Sequence, residues 1–231
     1  MSKRIAVACE GPSDFIVIEA ALKAVLKVPF VLSRLPGEAI LAQTGGGWGG
    51  VIKWCYSMAE MAKSGNFTRL ADLPGLEGFD AVIIHLDVDV AGMHYQQCGS
   101  AIAALAGHAG WLALPCQQPT LTATILSLQQ TIASWIAPVI LAGPMNLFCL
   151  PAQAMEAWLA AAVLPQGHAL LSNIELTPNL SSRFKGLPAK LKLTKSNACY
   201  RQNAHLVTRN WQAIQLICPQ AKAFSAACQQ I

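Results

Sequence analysis

Charge is what this chain has least of. Only 12% of its 231 residues are Lys, Arg, Asp or Glu, against 54% hydrophobic, and no charged side chain occurs from Val90 to Met155. Low charge with abundant apolar residues excludes a disordered, solvent-swollen chain. It also raises the question of a membrane span, since mean hydropathy is +0.41. The uncharged stretch, however, is broken by Gln96, Gln97, His108, Gln117, Gln118, Gln129 and Gln130, and by prolines at 115, 119, 138 and 144. It never reaches the roughly 18 unbroken apolar residues that a span requires. The stretch reads as soluble core, and no membrane partner is expected.

Paired cysteines are missing as well. The eight thiols stand at positions 9, 55, 98, 116, 149, 199, 218 and 228, with no C-x-x-C among them, which leaves no zinc or dithiol motif. Cys9, Cys116 and Cys149 lie inside apolar runs, where a thiol acts as a small hydrophobe. No secretory signal precedes the first apolar run, so a cytoplasmic protein with reduced thiols is expected. Internal repeats and low-complexity tracts are also absent, and the length suits one large domain or a domain with an appendage.

Acidic residues disappear after Glu175. Residues 1–175 carry all 12 acidic side chains and 8 Lys/Arg, net −4, while residues 176–231 carry the other 8 Lys/Arg, net +8. That asymmetry points either to a polyanionic partner met by the C-terminal part or to a solvated basic face.

What is present is an alternation of strand-like and helix-like segments. Short apolar runs at 3–9, 29–35, 80–86, 111–115, 138–142 and 146–150 read as strands, and amphipathic stretches at 13–27, 50–64, 97–107, 120–136 and 152–163 as helices. Such alternation predicts a mainly parallel sheet flanked by helices. From Leu164 onward Pro165, Gly167, Pro178, Gly186 and Pro188 break the pattern, and only 203–217 reads firmly as helix. The division expected is an α/β domain over 1–165 and a basic, mainly helical extension over 166–231.

Two motifs carry chemistry. Glu10-Gly11-Pro12-Ser13-Asp14 follows the first apolar run, and Asp87-Val88-Asp89-Val90-Ala91-Gly92 follows Ala81–Leu86. Each delivers carboxylates to the C-terminal end of a strand, where open α/β sheets place ligands. Asp87 and Asp89, at i and i+2, point to one side of an extended backbone. Crowded carboxylates repel, and a divalent cation offsets that. Gly11 is expected to allow a tight turn. Glu156, the one charge between Asp89 and Glu175, either completes the acidic group or marks the solvent side of its helix. The run Gly45–Gly50 lacks the Lys-Ser/Thr of a P-loop, which excludes an NTPase of that kind. Lys53 could still assist an anion, and His94 could approach the site, though a structural histidine is the plainer reading.

E-G-x-x-D after one strand and D-x-D-x-x-G after a later one resemble the Toprim domain, shared by topoisomerases, bacterial primases and nucleases of the overcoming-lysogenization-defect type. The resemblance covers residues 3–116 and is nearest to small stand-alone Toprim-like proteins of bacterial genomes, several linked to phage defence. It implies a Toprim-like α/β fold and a site of Glu10, Asp87 and Asp89 binding Mg²⁺ or Mn²⁺, with Asp14 matching the acidic end of the first motif. Val90 and Ala91 stand where topoisomerases and primases often carry further charge, and no topoisomerase-like tyrosine is recognisable. A metal-dependent nuclease hydrolysing phosphodiester bonds in DNA or RNA is therefore the leading expectation. Arg183, Lys185, Lys190, Lys192, Lys195, Arg201 and Arg209, interleaved with Tyr200 and Trp211, resemble a phosphate-backbone surface. Lys185, Lys192 or Lys195 could instead reach the acidic site and stabilise a pentacoordinate phosphate. Two alternatives stay open. One is a non-enzymatic sensor or partner-binding subunit of a defence complex, its few charges suiting a protein partner or homodimer. The other is a metal-dependent phosphatase acting on a small molecule.

Overall fold

Four short, largely apolar runs become strands. In the computed structural model, which describes residues 2–35, 46–137, 141 and 146–231, they are β1 (Lys3–Ala8), β2 (Phe30–Leu35), β3 (Ala81–His85) and β4 (Asn146–Cys149). All pair in parallel, in the order β2-β1-β3-β4. Gly45, and the strand expected at 138–142 apart from Leu141, lie outside the described residues.

Helices cover both faces. Along β1, Ile5 and Val7 belong to one buried cluster and Ala6 and Ala8 to another, the alternation a pleated strand imposes. The first cluster joins the sheet to α1 (Pro12–Val25), α5 (Glu156–Val163), the one-turn α6 (Leu180–Arg183), α7 (Asn197–Arg209), α8 (Trp211–Ile217) and α9 (Pro219–Cys228). The second joins it to α2 (Gly47–Gly65), α3 (Ser100–Ala109) and α4 (Leu121–Ile136). The residues beyond 165 therefore share the first core: Thr208 Oγ1 donates to the Ala20 carbonyl at 2.8 Å and Asn210 Nδ2 to that of Ala162 at 2.8 Å.

Three expected elements differ. Residues 111–115 form no strand, because their backbone groups are taken by side chains and loops. Tyr95 Oη donates to the Leu112 carbonyl at 2.6 Å, the Leu112 N–H donates to Ser134 Oγ at 3.1 Å, and the Gly92 N–H to the Pro115 carbonyl at 2.7 Å. The helix expected over 152–163 starts only at Glu156, since the residues before it are laced to the loop after β3. The helix expected over 203–217 breaks at Asn210, whose amide is drawn to Ala162.

Trp158 is the centre of the first core. It is fully buried, meets Trp211 edge-on at 5.3 Å and Phe224 at 5.8 Å, and its Nε1 donates to Glu175 Oε1 at 3.2 Å. Trp158→Ala is expected to cost about 3–5 kcal/mol from the cavity alone, and more because Glu175 loses a donor. Urea denaturation checks this; a loss under about 1 kcal/mol would show that the site collapses freely.

Candidate active site

The strand order 2-1-3-4 places the reversal of winding between β1 and β3. The β1–β2 connection crosses one face through α1, and the β2–β3 connection crosses the other through α2. Ligand sites of open α/β sheets sit at this point, beyond the strands' C-terminal ends. Glu10 leaves β1 there and Asp87 leaves β3 there, and the Asp87 N–H donates to Glu10 Oε1 at 2.9 Å.

The loop after β4 completes the edge. The Val88 N–H donates to the Pro151 carbonyl and the Asp89 N–H to that of Gln153, each at 3.1 Å. The Met155 N–H donates to Asp87 Oδ1 at 3.0 Å. This lacing sets Glu156, first residue of α5, beside the aspartates with 4% exposure. Asp14, in the first turn of α1, closes the group from the other side. The structure thus gathers Glu10, Asp14, Asp87, Asp89 and Glu156.

The electrostatics record the crowding. Burial first, then the Asp87 charge, lifts Glu10 to about 8. Burial also raises Asp14, with Glu156 adding to the rise while His85 opposes it, and raises Asp87 well above its ordinary range, with Asp14, Asp89 and Glu156 adding to it. Asp89 is exposed, yet the protein around it and Glu156 raise it too; solvent screening keeps that effect small.

Lys195 comes to this cluster from the basic C-terminal part, its Nζ 3.0 Å from Glu156 Oε1, an approach close in distance but outside hydrogen-bond alignment. Burial pulls its ammonium down, but Glu156, Asp87 and Asp14 outweigh that and hold it above its ordinary value. Tyr200 also turns inward. Burial raises its phenol strongly, and the nearby Glu156 adds to the rise.

Some expectations are corrected here. Asp87 and Asp89 do not share one extended backbone, because Val88–Val90 forms a 3-10 turn; Asp87 points into the protein and Asp89 to solvent. Gly11 has φ −150° and ψ 171°, extended backbone open to any residue, so a tight turn is not its role. Tyr200 and Trp211, expected as surface aromatics, are 1% and 3% exposed. Arg183, Lys185, Lys190, Lys192, Lys195, Arg201 and Arg209 do lie on the surface. His94 is exposed and caps the turn Tyr95–Cys98. The glycine run spends one of its N–H groups on the site's backbone, Gly47 donating to the Glu10 carbonyl at 2.9 Å, with φ +69° that only glycine adopts freely. Lys53 acts near Cys98, whose thiol burial and Glu10 raise to about 11.

His85 was hidden inside an apolar run. It is fully buried, neither ring nitrogen has a hydrogen-bond partner, and Nε2 lies 3.4 Å from Asp87 Oδ1. As the side chains stand, no three His, Cys, Asp or Glu among the described residues form a metal-binding group. The donor set nonetheless fits a hard divalent ion in kind, being carboxylate oxygens with excess negative charge. The opening beside Asp89, Glu156 and Lys195 is a cavity of about 180 Å³. Larger clefts of about 800 and 620 Å³ lie elsewhere, lined by none of the clustered carboxylates. No helix among the described residues is long and apolar enough to cross a membrane. Compared with family models, curated proteins and solved structures, the chain has no match.

Proposed function

We propose that the chain is a Toprim-like, Mg²⁺- or Mn²⁺-dependent nuclease that hydrolyses phosphodiester bonds of DNA or RNA. The observation that carries this reading is the convergence of five carboxylates at the β1/β3 edge with the Lys195 ammonium beside them. A Mg²⁺ or Mn²⁺ ion held by Glu10, Asp87 and Asp89, with Asp14 and Glu156 in reach, would supply Lewis acidity and offset the crowded charge. Asp89, the most exposed of the five, meets an incoming phosphodiester first. Lys195 stands beside it to offset charge developing on phosphate oxygens. The Met155 N–H holds Asp87 in place. The exposed cations of the C-terminal part grip the nucleic-acid backbone without reading sequence.

The test is incubation of pure protein with single-stranded and plasmid DNA and with RNA, in Mn²⁺ and then with EDTA. Cleavage that EDTA abolishes and that Asp87→Asn lacks supports the reading. Folded wild type that cuts nothing with either metal overturns it.

The grip has its own test. Lys195 lies beside the acidic cluster, so the cations to remove are Arg183, Lys190 and Lys192. Changing all three to Gln is expected to lower the slope of log affinity against log salt by about two to three units. Fluorescence anisotropy between low and moderate salt measures this, and an unchanged slope marks these side chains as a solvated face.

A further inference from the structure

The acidic cluster lies under a roof supplied by the C-terminal part. Asp14, Asp87 and Glu156 are 9%, 8% and 4% exposed. The opening beside Asp89 and Glu156, at the edge of this cluster, is the cavity of about 180 Å³ walled also by Lys195, Thr177, Asn179 and Ser181. The wall is held from behind: Leu180 is 3% exposed in the core, and the Ser182 N–H donates to the Asn179 carbonyl at 3.0 Å. Lys195 Nζ lies 3.0 Å from Glu156 Oε1. In sequence, the exposed Arg183 and Lys185 follow the wall residues and the exposed Lys190 and Lys192 precede Lys195.

We infer that this site takes single-stranded nucleic acid, or a strand locally freed from its partner, in preference to an intact double helix, an inference that rests on the nuclease reading above. A phosphate on continuous duplex is fixed on a stiff rod, with a neighbour ~3.4 Å along the axis on its own strand and stacked pairs behind it. Drawing it into a narrow recess requires unstacking and unpairing. A single strand kinks at little cost, because its bases are already free. Asn179 is one of the wall residues. It is exposed and has φ +54°, a left-handed conformation that glycine shares without strain. Removing its side chain therefore widens the mouth and leaves the backbone where it is.

The experiment compares initial rates with Mn²⁺ on a single-stranded oligonucleotide, a covalently closed duplex of the same sequence, and that duplex carrying a short single-stranded gap. The oligonucleotide is expected to be cut on the order of 100-fold faster than the closed duplex, since unstacking burdens only the latter. Cuts in the third substrate should fall in its gap. Asn179→Gly should shrink the ratio of single-strand to duplex rate at least about fivefold. Equal rates on closed duplex and single strand overturn the inference and leave the nuclease reading standing. No cutting of any nucleic acid, with hydrolysis of p-nitrophenyl phosphate instead, overturns both and assigns the recess to a small phosphoester.

Discussion

Asp89→Asn is expected to lower the rate of nucleic-acid hydrolysis on the order of 100-fold or more while leaving affinity intact, because it removes charge where the reaction needs it and little else. The fold has small use for this carboxylate. The side chain is exposed, and the backbone is held by the bond from its N–H to the Gln153 carbonyl, which asparagine keeps. The surface cations proposed to hold the nucleic-acid backbone are other side chains, so affinity and turnover should separate. Binding is expected to hold steady or tighten, since one negative charge facing the phosphates is gone. Single-turnover cleavage in Mn²⁺, beside anisotropy in EDTA, gives the two quantities. A variant that cuts as fast as wild type would place the chemistry at another site or in a contaminant. A wild type that binds a protein partner and never cuts would favour the non-enzymatic alternative.

How much of this was legible follows from how far apart in sequence each determinant lies. Glu10 and Asp87 could be placed because each directly follows an apolar run, and a strand's end is a local property. Glu156 stood out as a lone charge, yet its burial depends on the bond from the Met155 N–H to Asp87, which links residues of two different loops. Lys195 was one of several cations with equal claims to the site; only the seating of α7 against α1 and α5 brings it to Glu156. The same seating buries Tyr200 and Trp211, whose interleaving with Arg and Lys suggested a stacking surface. His85 lies in a strand buried on both faces, and its neighbours in sequence say nothing of a carboxylate facing it. Residues 111–115 have the composition of a strand. The donors that take their carbonyls, Tyr95 and Thr131, lie one on each side in sequence, outside any local window.

Without divalent cation the protein is expected to lose stability as pH rises from about 4.5 to about 8, the interval between the ordinary and the folded titration of Glu10. The sign follows from where the proton sits. In this window the folded protein keeps a proton on Glu10 that the unfolded chain has released, so each rise in pH favours unfolding. One such group contributes up to ~1.4 kcal/mol per pH unit. Asp14 and Asp87 are raised likewise and act in the same direction. Glu175, raised to about 7 by burial against the Trp158 and Gln220 donors, adds a similar slope from outside the cluster, so Glu175→Gln is the background in which to isolate the site. Mn²⁺ competes with protons for the clustered oxygens. At a hundredfold excess over its dissociation constant it should stabilise by about 2.7 kcal/mol, with most effect at the alkaline end. Asp87→Asn keeps the acceptor for the Met155 N–H and removes a charge. The metal-free variant should therefore melt higher than wild type at alkaline pH and respond little to Mn²⁺. Melting temperatures across the pH range, with and without millimolar Mn²⁺, decide the matter. Equal Mn²⁺ shifts in wild type and Asp87→Asn would place the cation elsewhere, and a flat profile without metal would mean that the carboxylates relax apart into water.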